Sequence, residues 1–338
     1  MPRSAAPPTL RVALALGTVY LVWGSTYLAI AYVVETMPPF LAGSARFLVA
    51  GSLLLAFLLA QDRWRRARGQ PSAVARPKLV EWRTAVIVGT LLLLGGNGLV
   101  STAEERIPSS IAAVIIATVP IWMNVLDGVL TRRAPSLLTL GGLGVGLVGV
   151  AILLYPSQGV DRLDPLGIGM VVVSALSWTC GSLYARRGPL PANQLQGSGM
   201  EQVAGGAVML AVAVMVGEPG RVSVESISTA SLLALGYLIV FGSLIAFTAY
   251  VWLLEHAPIS TVATYAYVNP IVAVGLGMLF RNEPMTPRTL IAAVLIIGAV
   301  VAMVSGRPRE AEEAGPSPET ATLEHARDAG PEREEKSA

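Results

Sequence analysis

Long apolar stretches alternate with short polar breaks from residue 12 to residue 303. Many run for roughly 20 residues, the length an α-helix rising ~1.5 Å per residue needs to cross ~30 Å of hydrocarbon. Boundaries drawn at charged or Pro/Gly breaks predict helices over 12–34, 37–60, 84–103, 108–130, 136–155, 165–185, 194–216, 230–254, 259–280 and 288–305. The predicted fold class is therefore an all-α polytopic membrane protein with ten transmembrane helices. The first stretch has 23 uncharged residues and no A-x-A-like ending. That is longer than the ~7–15 residues of a signal-peptide core, so it reads as a retained helix.

A repeat is superimposed on this pattern. Residues 105–120 read ERIPSSIAAVIIATVP and residues 255–270 read EHAPISTVATYAYVNP, so a shift of 150 places Glu105 on Glu255, Pro108 on Pro258 and Pro120 on Pro270. Trp23-Gly24-Ser25-Thr26-Tyr27 is echoed, with an insertion, by the segment from Trp178 to Tyr184. The expected organisation is an N-terminal segment 1–11, a five-helix unit 12–155, a connection 156–164, a second five-helix unit 165–305 and a tail 306–338. An odd number of helices per unit makes the second copy enter the membrane from the opposite side. Transporters use such inverted repeats, with the site near the bilayer midplane between them.

Composition agrees with a bilayer as solvent: 53% of the 338 residues are hydrophobic and 14% charged, against roughly 25% charged in a soluble domain. The distribution of charge says more than its sum. With the N-terminus inside, Arg3, Arg11, seven basic residues between 63 and 83, Arg132, Arg133, Arg186 and Arg187 share one side. The other side holds Arg106, Arg162, Arg221, Arg281 and Arg288. That asymmetry predicts both termini in the cytoplasm. Residues 307–338 carry nine acids and five bases with almost no large apolar residue, which predicts a disordered cytoplasmic tail.

One cysteine and two histidines exclude a disulfide framework and a Cys/His metal centre, so no metal and no cofactor is expected. No G-x-x-x-x-G-K-[ST] loop, H-E-x-x-H or G-x-S-x-G occurs, which argues against an ATP-driven pump and against a hydrolase. Nucleic acid is not an expected partner. The expected partners are a small-molecule substrate, lipid and, if transport is coupled, protons; the oligomeric state stays open.

The segments YLVWGSTYLAI, PPFLAGSARFLVAG, GNGLVSTAE and ERIPSSIAAVIIATVPIW resemble the EamA family of the drug/metabolite transporter superfamily. The likeness covers roughly residues 12–305. It implies a bacterial inner-membrane protein with two five-helix repeats about a central cavity. It also implies a secondary transporter exporting small metabolites or drug-like molecules. Substrate does not transfer with a fold. Uptake, or a membrane enzyme acting on lipid-linked substrates, are the alternatives.

Ionisable residues inside spans usually face a cavity or a partner, because they cost about 2.5–3.5 kcal/mol on insertion scales. Arg46 in the second helix and Glu201 in the seventh occupy corresponding helices, and a facing pair would compensate both. Glu201 is also the carboxyl best placed to carry a proton. Asp127, near Arg132 and Arg133, reads as an interfacial carboxylate close to basic neighbours that needs no transport role. Pro120 and Pro270 are expected mid-helix, where each would free a carbonyl, at Ile116 and Ala266. Asn97, Asn124 and Asn269 lie near these breaks. Trp23, Ser25, Thr26 and Tyr27, with Trp178, supply rings and hydroxyls for an amphipathic substrate. The glycines at 141, 142, 144, 146 and 149 are assigned to helix packing.

Overall fold

A computed structural model of the chain describes residues 9–72, 74–107, 112, 115–132, 134–154, 164–281 and 287–305, and all regular structure among them is helical. The acidic tail and most of the 156–164 connection lie outside the described residues. In chain order the helices are α1 (Thr9–Val34), α2 (Pro39–Ala67), α3 (Leu79–Gly89) and α4 (Leu99–Ala103), then α5 (Val119–Thr131), α6 (Leu137–Leu154) and α7 (Pro165–Arg187). The remainder are α8 (Gln194–Met215), α9 (Thr229–Tyr237), α10 (Thr248–His256), α11 (Ile259–Ala263), α12 (Tyr265–Arg281) and α13 (Pro287–Ser305). A π-helical stretch, Thr90–Gly98, joins α3 to α4, and another, Leu238–Phe247, joins α9 to α10, so each trio is one continuous rod.

Six of these rods are long and apolar enough to cross a membrane: 10–34, 39–67, 79–103, 165–187, 194–215 and 229–256. Shorter apolar helices occupy 119–131, 137–152 and 290–303. Their outward faces carry Leu53, Phe57, Leu233, Leu290, Val294 and Ile297, all exposed. A surface of aliphatic side chains suits lipid tails, and helices satisfy their own backbone groups there. Helix starts are written in the sequence. Asp164 accepts from the Leu166 amide at 2.8 Å just before Pro165, and Ser228 accepts from the Ser231 amide at 3.0 Å.

Helix α2 packs along α8, and α6 along α13. Helix α1 lies against α9, α10 and α12, while α7 lies against the Thr90–Gly98 stretch, α4 and α5. The α2–α8 and α3–α8 contacts are glycine-tight. A Cβ on Gly51 would sit 2.8 Å from Gly199 O, and one on Gly89 would sit 2.4 Å from Glu201 O and 2.7 Å from Gly205 N. Small residues allow such backbone approach, which is how helices gain contact where lipid supplies no hydrophobic drive. The α6 glycines divide in the same terms. Gly142 and Gly149 pack on α13 and Gly146 on the Tyr267 ring, while Gly141 and Gly144 face open space.

Candidate functional site

A cavity of about 100 Å³ lies in the middle of the bundle. Helix α1 contributes Trp23 and Thr26, α2 contributes Arg46 and Phe47, and the π stretch before α4 contributes Asn97. From later in the chain come Ser174 and Trp178 of α7, Gly242 of the second π stretch, and Tyr265 and Asn269 of α12. A π-helical turn rotates the side chains after it relative to an α-helix and is often found at functional sites. Here the two π stretches place Asn97 and Gly242 on the cavity wall.

One end of the cavity is shut by four rings. Trp23 meets Trp178 edge-on with centroids 5.5 Å apart and Tyr265 edge-on at 5.2 Å, and Tyr250 lies 4.9 Å from Trp23. Hydrogen bonds lock the cluster: Trp178 Nε1 donates to Tyr250 Oη at 3.0 Å, Tyr250 Oη and Ser182 Oγ are 2.6 Å apart, and Trp23 Nε1 donates to Gly242 O at 3.2 Å. Edge-to-face rings gain about 0.5–1.5 kcal/mol beyond their burial. The other end reaches Glu104, one residue beyond the 79–103 span, where burial pushes the carboxyl up to about 7. Close by, the Leu166 amide and the Arg106 guanidinium hold the Asp164 carboxyl below its usual range.

Arg46 is 7% exposed; its Nε donates to Ser243 Oγ at 2.8 Å and its guanidinium lies 4.8 Å from the Phe47 ring centroid. The expected pairing with Glu201 does not occur. Glu201 is fully buried in α8, and neither carboxylate oxygen has a hydrogen-bond partner among the described residues. The reason is height. Gly43 faces Met209, Gly206 faces Leu48 and Gly51 faces Gly199, so α2 and α8 run antiparallel with Arg46 level with about residue 206. Glu201 is then about five residues, ~8 Å, further towards the Tyr250 end.

Of the candidate residues read from the sequence, the fold brings Trp23, Thr26, Arg46, Asn97, Trp178 and Asn269 together on the cavity wall. Ser25 turns away to Tyr237 Oη at 2.5 Å, and Asn124 donates to Pro120 O at 2.8 Å in a separate cleft with Asp127 and Arg186. The Tyr27 side chain lies outside the described residues. Pro120 does not kink a continuous helix: a turn at Ala117 and Thr118 precedes it and it occupies the first turn of α5, where no amide is needed. Pro270 is inside α12 beside Asn269, and the break in its rod falls earlier, at Thr264. Asp127 pairs with Arg187 at 2.6 Å.

Glu104, Phe47, Ser174 and Tyr265 line the cavity without having been singled out from the sequence. Tyr265 was findable: it precedes Pro270 by five residues in the repeated segment. Glu104 was masked by Glu105, which carries the repeat and is exposed.

The signature of the EamA-like transporter family matches the chain twice, at residues 10–155 and 165–305. The chain belongs to the EamA-like transporter family. Membership makes it a membrane transporter in class. It is 38% identical over 297 residues to the uncharacterized inner membrane transporter YedA of Escherichia coli strain K12, covering 87% of this chain and 90% of that one. It is 22% identical over 303 residues to the uncharacterized transporter YvbV of Bacillus subtilis strain 168, covering 89% and 94%. A chain of known crystal structure superposes with a TM-score of 0.67 at 19% identity over 87% of this chain and 97% of that one, a likeness of fold alone.

Proposed function

We propose that this EamA-family chain is a secondary transporter of the bacterial inner membrane. It exports small metabolites or drug-like molecules by alternating access between two inverted five-helix repeats. Its ten transmembrane helices leave both termini in the cytoplasm, with unit boundaries at 12–155 and 165–305.

The observation that carries this reading is that the cavity is shared. Arg46 and Asn97 come from the first unit, Trp178 and Asn269 from the second, and a ring cluster drawn from both closes one end. Two further features support it. The π stretches interrupt the third rod of each unit, and the helix pairings survive exchange of the units: second with seventh, fifth with tenth, first with eighth and ninth, sixth with third and fourth. In the predicted orientation the ring cluster faces the cytoplasm and Glu104 the outer side. Glu201, buried beyond the cluster, is the carboxyl that carries a coupled proton when access switches.

The test begins with extracellular metabolites of cells with and without overexpression, followed by flux of the enriched compound in proteoliposomes. Glu201→Gln should preserve counterflow exchange and abolish accumulation driven by a pH gradient. Retained gradient-driven accumulation would remove Glu201 from coupling. No protein-dependent flux of any enriched compound would sink the transporter reading itself.

A further inference from the structure

Arg46 is the one cation on the cavity wall among the described residues, and it makes no ion pair with any of them. The ion pairs among those residues join Arg66 to Asp62, Arg106 to Asp164 and Arg187 to Asp127, none of which lines the cavity. Nε is committed to Ser243, which aims the forked end of the guanidinium along Gly242. A Cβ at position 242 would come 2.7 Å from Arg46 Nη2, so glycine there gives the fork its room. A guanidinium presents two parallel N–H donors that match a carboxylate, and a planar group of that charge is what its geometry selects. The same cavity is lined by the edges and faces of Trp23, Trp178 and Tyr265, which offer apolar surface for a compact body.

On the reading that this cavity is the transport site, we infer that its substrate is a small amphipathic organic monoanion, its carboxylate held by Arg46 and its apolar body packed on the aromatic cluster. A cationic ligand meets an uncompensated guanidinium at the same depth. A dianion would leave its second charge against Phe47 and the rings. The acid on the wall, Glu104, lies at the other end, where it faces the passing ligand and not its seat.

The experiment uses the full chain in lipid nanodiscs and isothermal calorimetry with four probes of one shape: 3-phenylpropanoate, 3-phenylpropanamide, 2-phenylethylamine and phenylalanine. The anion should bind at least tenfold tighter than the amide and the amine. Arg46→Gln should weaken it more than tenfold and Arg46→Lys about two- to fivefold, with thermal melting checked for each variant. Should either variant unfold, the ranking of the four probes on the unaltered protein decides alone. Stronger binding of the amine, the amide or the zwitterion, or no binding of the anion, overturns the inference. Flux then separates the two readings. Anion binding without flux leaves the ligand class standing and removes transport, whereas flux of the amine or amide insensitive to Arg46→Gln keeps transport and removes the class.

Discussion

Arg46 and Glu201 sit in the two most intimately packed helices of the bundle, yet they are housed in opposite ways. The arginine stands at a cavity wall with one donor anchored and its fork accessible; the glutamate is sealed beside a glycine seam with neither oxygen hydrogen-bonded. The difference lies in what surrounds each level of the seam. Around Arg46 the π stretches open space, whereas around Glu201 Gly89 and Gly205 let α3 close directly on the α8 backbone. Burial alone therefore does not distinguish a cavity-facing charge from a sealed one. The packing at its height along the rod does.

The sharpest way to break that contrast is to force the seam apart. Gly89→Val would drive side-chain carbon into Glu201 O and Gly205 N, so membrane abundance should fall at least tenfold, whereas Gly141→Val, with nothing within 4 Å, should leave it near normal. Immunoblots of membrane fractions check both. Equal abundance would show that the seam is not what seals Glu201.

A smaller effect is expected at the ring cluster that divides the two levels. Tyr250→Phe removes the acceptor of Trp178 Nε1 and the partner of Ser182 while keeping the ring. A lost buried hydrogen bond costs about 0.5–1.5 kcal/mol, and more where a donor is stranded. The melting temperature should drop by a few degrees, and a cysteine placed at Ser182 should become more reactive towards a small thiol reagent once Cys180 is removed. Unchanged reactivity would mean that the rings are not the seal.

The smallest effect is at the mouth. With its carboxyl pushed up to about 7, Glu104 is mostly charged at pH 8 and mostly neutral at pH 6. An entering anion should therefore bind a few-fold tighter at pH 6 than at pH 8. Glu104→Gln should flatten that slope while leaving affinity at pH 6 near the unaltered value. Neighbouring Glu105 and Arg106 are exposed, and Arg106 is paired with Asp164, so neither reproduces the profile. A slope that survives Glu104→Gln would assign the titration elsewhere.

The sequence made the membrane spans legible because length and apolarity are set by the thickness of the bilayer, which every span must meet. It made about a third of the candidate wall legible because charged and polar groups are expensive in hydrocarbon wherever they occur. What it concealed was rotation and height. Arg46 and Glu201 lie in matching helices, but antiparallel packing sets them about five residues apart in depth, and no periodicity within either helix states the register between them. Ser25 and Thr26 are adjacent in sequence and diverge, one to Tyr237 and one to the cavity, because successive residues of a helix point about 100° apart. The π stretches were hidden for a related reason: their extra residue per turn is a response to neighbours, and Leu-rich segments such as 90–94 carry no local signal of it.

Glu218 bears on how firmly two helices of the bundle are joined. Gly217, at φ 76°, turns the chain out of α8, and the buried Glu218 carboxylate then accepts from the Leu41 amide at 2.6 Å and the Phe40 amide at 3.3 Å at the start of α2. It fills the electrostatic demand of a helix beginning at Pro38 and Pro39, which provide no side-chain acceptor of their own. The end of one helix is thereby riveted to the beginning of another along whose length it already lies. Helices α2 and α8 form a keel, one beam fastened along a glycine seam and again at its end. Bending that beam at this end would break both bonds to Glu218 and leave two helix-start amides without an acceptor.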